Sequence, residues 1–462
     1  MSILQRLERL PMARPQWRLL FQGGLGYTFD GMDAALVAFI LPSATAVFSL
    51  TSGQTGLLGS SVLIGYLFGA LSAGVLGDLI GRKKVMMYAL AIYAVASLVA
   101  ALSPSWGFLF WSRVVAGFGT GAESAIIAPF LAEFVAGRYR GRFIGSLAGF
   151  FSFGFVLAAL LGYLVVPNLD AGWRWVQVIS ALPIVMILWW RRSVPESPRW
   201  LLDQGRDEEA ERVVRGFEEE IERGAGEPLP SVEGVEVPAA HSAPSGSVFS
   251  NLAALWRGRL ASITVSTWAI WFAITFSYYG FFTWIPSLLV GQGYSIADSF
   301  AFAIAIYLAQ IPGYYSAAFI GEYLDRKWTI GLYLAGGAVA ALLMSTAGTP
   351  TTIIAFGILL SFFMNGTYAA VYAYTPEVYP TAVRSTGMGA ASAFGRVGGI
   401  LAPIAIGVTY GTIGFGGVFV MTTVVLAAGV VAVVIFGLST ASRTLEDISA
   451  EELGTEGGTG RG

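Results

Sequence analysis

Twelve apolar runs, each long enough to cross ~30 Å of hydrocarbon as a helix rising 1.5 Å per residue, take up most of this chain. They fall at about 20–48, 55–76, 84–102, 106–136, 142–166 and 173–192, then at 258–290, 296–320, 328–347, 351–376, 384–410 and 415–439. Only 12% of the 462 residues are charged, against about 25% in soluble domains, so the runs have no polar surface with which to form an ordinary soluble fold. The expected fold class is an all-α membrane protein of twelve transmembrane helices in two six-helix halves. The 58 glycines fit helices that must approach closely in lipid.

The order of segments follows. Residues 1–19 form a basic tail, retained because no small-residue cleavage site follows it; 20–192 is the first half and 193–257 a linker. The second half is 258–439, with a tail at 440–462. The linker holds roughly a dozen acids over 203–236, with EEAERVVRGFEEEIER at helical spacing, then a Pro, Gly and Ser-rich stretch at 237–247. Arg82, Lys83, Lys84, Arg138, Arg140, Arg142, Arg191, Arg192, Arg326, Lys327 and Arg384 lie in alternate loops, while the opposite loops hold little besides Arg174. That asymmetry puts both termini on the cytoplasmic side of a cell (inner) membrane.

Other classes are excluded by what is missing. With no Cys, and a lone histidine, His241, in the linker, no metal ligand set is encoded. The net charge of −2 argues against nucleic acid, and Lys83, Lys84 and Lys327 never follow the glycine of a phosphate loop. The expectation is no enzyme and no cofactor, but a monomer in a lipid bilayer whose partners are a small-molecule substrate and protons.

An internal repeat points to mechanism. GDLIGRKK at 77–84 aligns with GEYLDRKW at 321–328, an offset of 244 residues, and the same offset carries Glu133 and Arg140 onto Glu377 and Arg384. Two six-helix halves in one orientation are the arrangement of a secondary transporter that rocks around a midplane site. Asp78 with Arg82, Glu322 with Arg326, and the clusters Glu133 with Arg140 and Glu377 with Arg384 are then candidate gating residues, suited to pairing in one conformation and parting in the other. Positive-inside charge beside a helix stop is the plainer account of the basic members.

Charges within spans are costly, at ~2.5–3.5 kcal/mol on insertion scales, and mark pathways. Asp30 and Asp33 share a face of the first span near mid-depth. Arg113 lies in the outer part of the fourth, with Glu123 about 15 Å further along that helix. With no membrane histidine, these four are the candidates for proton coupling, unless Asp30 or Asp33 merely bonds neighbouring backbone or an arginine. Gly117, Gly119 and Gly121 beside Arg113 imply close packing against a neighbouring helix.

The second half has no carboxylate in the interior of a span, yet it has Arg396 about twelve residues into the eleventh. That arginine either bonds backbone carbonyls and acids of the first half or holds an anionic ligand. Tyr307, Gln310 and Tyr314 on the eighth span, Asn365, Tyr368 and Tyr372 on the tenth, and Trp271 and Tyr278 on the seventh form faces of flat rings with polar tips. With Arg396 they are the candidate substrate-binding set, although each ring taken alone also suits core packing.

GDLIGRKK, RVVAGFGTG at 113–121 and the two-half repeat resemble the major facilitator superfamily from about 18 to 440. PESPRWL at 195–201 resembles its branch of sugar porters, organic-ion carriers and synaptic-vesicle-like proteins. FDGMD at 29–33, FSYYGFFTWIPSLL at 276–289, QIPGYYSAAFI at 310–320, YAYTPEVYPTAVRSTG at 372–387 and FGRVGG at 394–399 are similar to the bacterial niacin permeases. Leu79 stands where the loop motif often has Arg. The resemblance implies a carrier that imports nicotinate, a small flat ring bearing one carboxylate, by proton-coupled alternating access. An aromatic-acid or sugar symporter, or, in another class, a transport-like nutrient sensor or passive channel, are the alternatives.

Overall fold

A computed structural model describes residues 3–226, 228–230, 248–380 and 383–439. Among them the regular elements are helices: α1 (Ile3–Glu8), α2 (Arg14–Phe48), α3 (Ser52–Ile80), α4 (Arg82–Ala101), α5 (Trp106–Ala132), α6 (Gly137–Val165), α7 (Gly172–Ser180), α8 (Met186–Ser193), α9 (Pro198–Asp203) and α10 (Asp207–Ala225). Then come α11 (Val248–Ala254), α12 (Leu260–Gly291), α13 (Ile296–Leu308), α14 (Gln310–Tyr323), α15 (Arg326–Ser345), α16 (Pro350–Val378) and α17 (Arg384–Phe436).

Eleven helical stretches of the described residues are long and apolar enough to cross a membrane. The last, α17, has 53 residues, more than twice what ~30 Å of hydrocarbon needs, and it breaks at Gly414, where φ is 62° and ψ −170°. That left-handed backbone is open to glycine at no steric cost, so α17 is the eleventh and twelfth spans joined by a corner rather than by a loop. The chain is a multi-pass membrane protein. Two expected spans are less regular than their hydropathy implies. The sixth runs from α7 through a 3₁₀ turn at Leu182–Val185, which contains Pro183, into α8. The eighth is irregular at the single residue Ala309, whose φ of −67° and ψ of −15° stay in the right-handed helical region. Pro312 has no N–H to donate to the Leu308 carbonyl, which removes one helical bond there.

The helices form two compact units, one built from residues up to Leu50 and from Ser61 through α10, the other from 51–60 and from α11 onward. In the first, α2 packs on α6 and α5, and its approach to α6 is close: a methyl on Gly154 would lie 2.1 Å from the Thr28 carbonyl oxygen. The glycines of α5 serve two neighbours rather than the one expected. Methyls on Gly117 and Gly121 would strike the Val62 and Tyr66 carbonyls of α3, at 2.1 and 2.2 Å, and one on Gly119 the Ala89 carbonyl of α4, at 2.5 Å. Positions four apart share a helix face, whereas those two apart point about 200° away from each other.

The acidic helix α10 is tied to the start of the chain. Arg6 donates to Glu218 at 2.5 Å and to Glu211 at 2.5 Å, Arg9 donates to Glu218 at 2.5 Å, and Arg18 pairs with Glu220 at 2.9 Å. Glu8 turns the other way, accepting from the backbone N–H of Gly137 at 2.6 Å, where α6 begins, and from Arg140 at 3.1 Å. The hydrogen bond from Arg6 holds the Glu211 carboxyl below the usual carboxylate range. Burial pushes Glu218 up, but the hydrogen bonds from Arg6 and Arg9 outweigh it and leave Glu218 below that range too. Folded values held below the unfolded ones stabilise the contact at neutral pH, and that stabilisation is lost as pH falls through the depressed values. Spin labels on cysteines introduced at Gln5 and Arg212 of this Cys-free chain should therefore show one narrow distance at neutral pH that broadens in acid, once pH falls through the depressed carboxyl values. Arg6→Ala should broaden it already at neutral pH; an unchanged distribution in both cases would show that the ion pairs do not hold the tail.

The second unit is built around α12 and α17. Residues 52–60 of α3 join it through the Ser60 hydroxyl, which donates to the Ile400 carbonyl at 2.6 Å, and through Gly56, whose missing side chain leaves room for the Pro403 carbonyl. Tyr379 of the α16–α17 turn bonds the Thr267 hydroxyl at 2.8 Å, and Tyr374 on α16 reaches the Leu438 carbonyl at 3.0 Å.

Candidate functional site

Helices α2 and α5 bring four ionisable side chains together inside the first unit, all of them shielded from solvent. Arg113 donates from Nη2 to Asp33 Oδ1 at 2.5 Å and to the Asp33 carbonyl at 3.2 Å. Thr120, two turns along α5, donates to Asp33 Oδ2 at 3.0 Å, so both carboxylate oxygens of Asp33 are held. Asp30, one turn back on α2, accepts from the Ser124 hydroxyl at 2.8 Å. Glu123 points at Gly26, where a methyl would sit 2.8 Å from its Oε1, and neither of its carboxylate oxygens has a hydrogen-bond partner in the structure. Around them stand Tyr27, whose hydroxyl donates to the Ser124 carbonyl at 3.0 Å, Tyr93, bonded to the Ser180 carbonyl, and the buried Trp190. All four sequence candidates thus converge, and Ser124 and Thr120 join them. The only trace of those two in the sequence is their place in TGAES, on the glycine-lined stretch of α5.

A second constellation lies wholly within the other unit. Trp271 on α12 meets the edge of Tyr372 on α16 with ring centroids 4.9 Å apart, Tyr278 meets Tyr368 at 5.0 Å, and Tyr368 stacks on Tyr372 at 6.2 Å. Polar tips are fixed from behind. Trp271 Nε1 donates to Thr375 Oγ1 at 2.9 Å, the Tyr278 hydroxyl to Gln310 Oε1 at 3.0 Å, and the Tyr368 hydroxyl to Thr275 Oγ1 at 3.1 Å. Arg396 lies near Tyr368, and the adjacent Gly395 packs closely over Trp271, whose carbonyl a methyl would meet at 3.1 Å.

Two expected members of this set have polar groups taken up by nearby backbone. Tyr307 is fully buried and donates to the Phe282 carbonyl of α12 at 2.6 Å. Asn365 uses its amide N–H on the Ser361 carbonyl of its own helix at 3.0 Å. Thr275 and Thr375, missed in the sequence, position two of the rings.

At the end of the first unit where α3 turns into α4, Arg82 pairs with Glu133, which also accepts from the Ser197 hydroxyl. The 244-residue offset carries this pair onto Arg326 and Glu377 in the second unit, which meet at 3.0 Å. The repeat is therefore real in three dimensions, but its partners are regrouped. Glu133 is met by Arg82 and not by Arg140, because the turn from α5 into α6 aims Arg140 at Glu8 and at the Ala132 and Val135 carbonyls. Asp78 lies 3.7 Å from Arg82 with its side chain 76% exposed, a pair of little energetic weight. Arg384 donates to the Tyr379 carbonyl at 3.3 Å. The side chain of Glu322 lies outside the described residues. PESPRWL supplies more of this junction than its sequence signal promised: Glu196 accepts from the Lys83 N–H at 3.1 Å, and Trp200 Nε1 donates to the Asp78 carbonyl at 2.9 Å.

Twelve apolar spans in two units, a repeated charge pair at their ends and ionisable groups buried within them define a membrane transporter of the major facilitator superfamily, not an enzyme. The chain belongs to the sugar (and other) transporter family, whose model matches residues 25–451. It is 39% identical to the niacin transporter NiaP of Acinetobacter baylyi over 97% of this chain and 100% of that one. It is 34% identical to a Bacillus subtilis protein provisionally named a niacin/nicotinamide transporter, over 93% of this chain and 98% of that one. Among solved structures, the partially occluded inward-open xylose transporter XylE of Escherichia coli shares the fold, with a TM-score of 0.76, 17% identity, and coverage of 94% of this chain and 100% of that one.

Proposed function

We propose that this transporter imports nicotinate by alternating access, coupled to protons, as a monomer in the inner membrane with both termini in the cytoplasm. The observation that carries the reading is the ring cluster of Trp271, Tyr278, Tyr368 and Tyr372 with the Arg396 guanidinium beside it, which suits a flat aromatic ring bearing one negative charge. The extended likeness to a niacin transporter supports the same substrate. A sugar has no charge for the arginine to meet. Asp30, Asp33, Arg113 and Glu123 supply the coupling centre, and the pairs of Arg82 with Glu133 and Arg326 with Glu377 the gates, with Asp78, Arg140, Glu322 and Arg384 around them.

Purified protein in liposomes, tested for counterflow with nicotinate, nicotinamide, benzoate and hexoses, decides among these readings. Nicotinate should exchange fastest and accumulate when the outside is acid. Benzoate exchanging equally well would make the protein a general aromatic-acid carrier. Hexose exchange would make it a sugar symporter, flux without counterflow a channel, and binding without flux a sensor.

A further inference from the structure

Three buried carboxyl groups share one buried guanidinium in the first unit, so the cluster would carry two uncompensated negative charges if all were ionised. The geometry shows where compensation goes. Among the described residues, Asp33 takes the ion pair of Arg113 and a hydroxyl besides, so each of its oxygens has the donor an ionised carboxylate needs. Asp30 has one hydroxyl donor, from Ser124. Glu123, on the residue next to Ser124, has none for either oxygen, although it is fully buried. A carboxylate held away from water with no donor and no cation is among the most costly states a protein can contain, and a second acid beside it raises that cost.

Where α2 passes Glu123 the neighbours are Gly26 and, from α8, the uncharged Trp190, while Asp30 and Tyr27 of α2 bond the adjacent Ser124. Among the described residues the arginine of this cluster is Arg113, which is bonded to Asp33 and lies about 15 Å along α5 from Glu123. Helix α6 has no charged residue from Phe143 to Val165. A proton is the smallest species that neutralises the site, and the space is small: Gly26 is the one α2 residue whose bare α-carbon lets Glu123 Oε1 in, with the Ile127 side chain as close on the other side.

We propose that Glu123, with Asp30 as its partner acid, holds the proton that travels with the substrate, while Asp33 stays ionised as the fixed counter-ion of Arg113. This divides roles among residues that the coupled-import reading treats as one set, and it rests on that reading. No covalent bond changes. A proton binds a Glu123 oxygen while the site is open to one side, crosses with the substrate anion as a neutral pair, and leaves to the other side with Asp30 as the alternate acceptor.

The test uses the full chain in liposomes, comparing accumulation driven by an acid exterior with counterflow at equal pH. Glu123→Gln keeps the shape and adds the missing donors. It should cut acid-driven nicotinate accumulation by about tenfold or more, the size of a typical coupling between two sites, and keep counterflow. Its exchange should also become insensitive to pH. Infrared difference spectra after a pH step should show a protonated-carboxyl band in the native protein that the variant lacks. Glu123→Gln that accumulates nicotinate with the native pH profile overturns the proposal. A native protein that exchanges nicotinate but ignores the proton gradient overturns the coupling reading instead, and a native protein that exchanges only other solutes overturns the substrate reading. Should Glu123→Gln not remain monodisperse, Glu123→Asp replaces it: a displaced pH profile supports the assignment, and an unchanged one overturns it.

Discussion

Replacing Arg113 with alanine is expected to destabilise this protein more than any other single change in its charged cluster, and to abolish transport. The guanidinium and the Asp33 carboxylate are both fully buried and meet at 2.5 Å, so the alanine variant leaves a carboxylate in the interior with only the Thr120 hydroxyl for company. Breaking a buried pair in this way costs about 3–5 kcal/mol, most of it the cost of the stranded charge rather than the worth of the pair. A thermal unfolding scan in detergent should show a large fall in midpoint. Asp33→Leu with Arg113→Met, which removes both charges and keeps volume, should recover most of that midpoint without restoring transport. If Arg113→Ala unfolds at the native temperature, the arginine is not the structural counter-ion of Asp33.

Arg396→Ala is expected to weaken nicotinate binding by roughly ten- to hundredfold, the loss of one charged hydrogen-bonded contact worth ~1.5–3 kcal/mol. Arg396→Lys should fall between, since an ammonium keeps the charge but not the planar fork that grips a carboxylate with two parallel bonds. Nicotinamide has the same ring and no charge, so its binding should change much less in both variants. Titration calorimetry or scintillation proximity with the two ligands makes the comparison. Equal losses for both, in protein that stays monodisperse, would make Arg396 a structural residue and move the search for the anion site to Arg113.

Buried charges are legible in sequence where their cost is local. An Asp, Glu or Arg inside an apolar run is expensive wherever its helix packs, so Asp30, Asp33, Arg113 and Glu123 stand out without knowledge of their neighbours. Their pairings do not, because these depend on which carboxyl the Arg113 guanidinium reaches and on the space that Gly26 leaves for Glu123. The aromatic faces show the opposite case. Helical spacing placed Tyr307 with Gln310 and Tyr314, but spacing does not show that the Tyr307 hydroxyl is taken up by the Phe282 carbonyl inside the core.

What the chain's order of residues determined by itself is its solvent: apolar runs of this length must be helices in lipid, and the 244-residue repeat makes two halves of them. Periodicity and hydropathy are summed over many residues, so single irregularities do not disturb them. Only the tertiary structure decided the pairings, among them Arg82 with Glu133, Arg140 with Glu8, and the N-terminal tail with α10. A long flexible basic side chain at a helix end can reach several acids, and the choice among them turns on ångström-scale differences in where loops and helix ends come to rest.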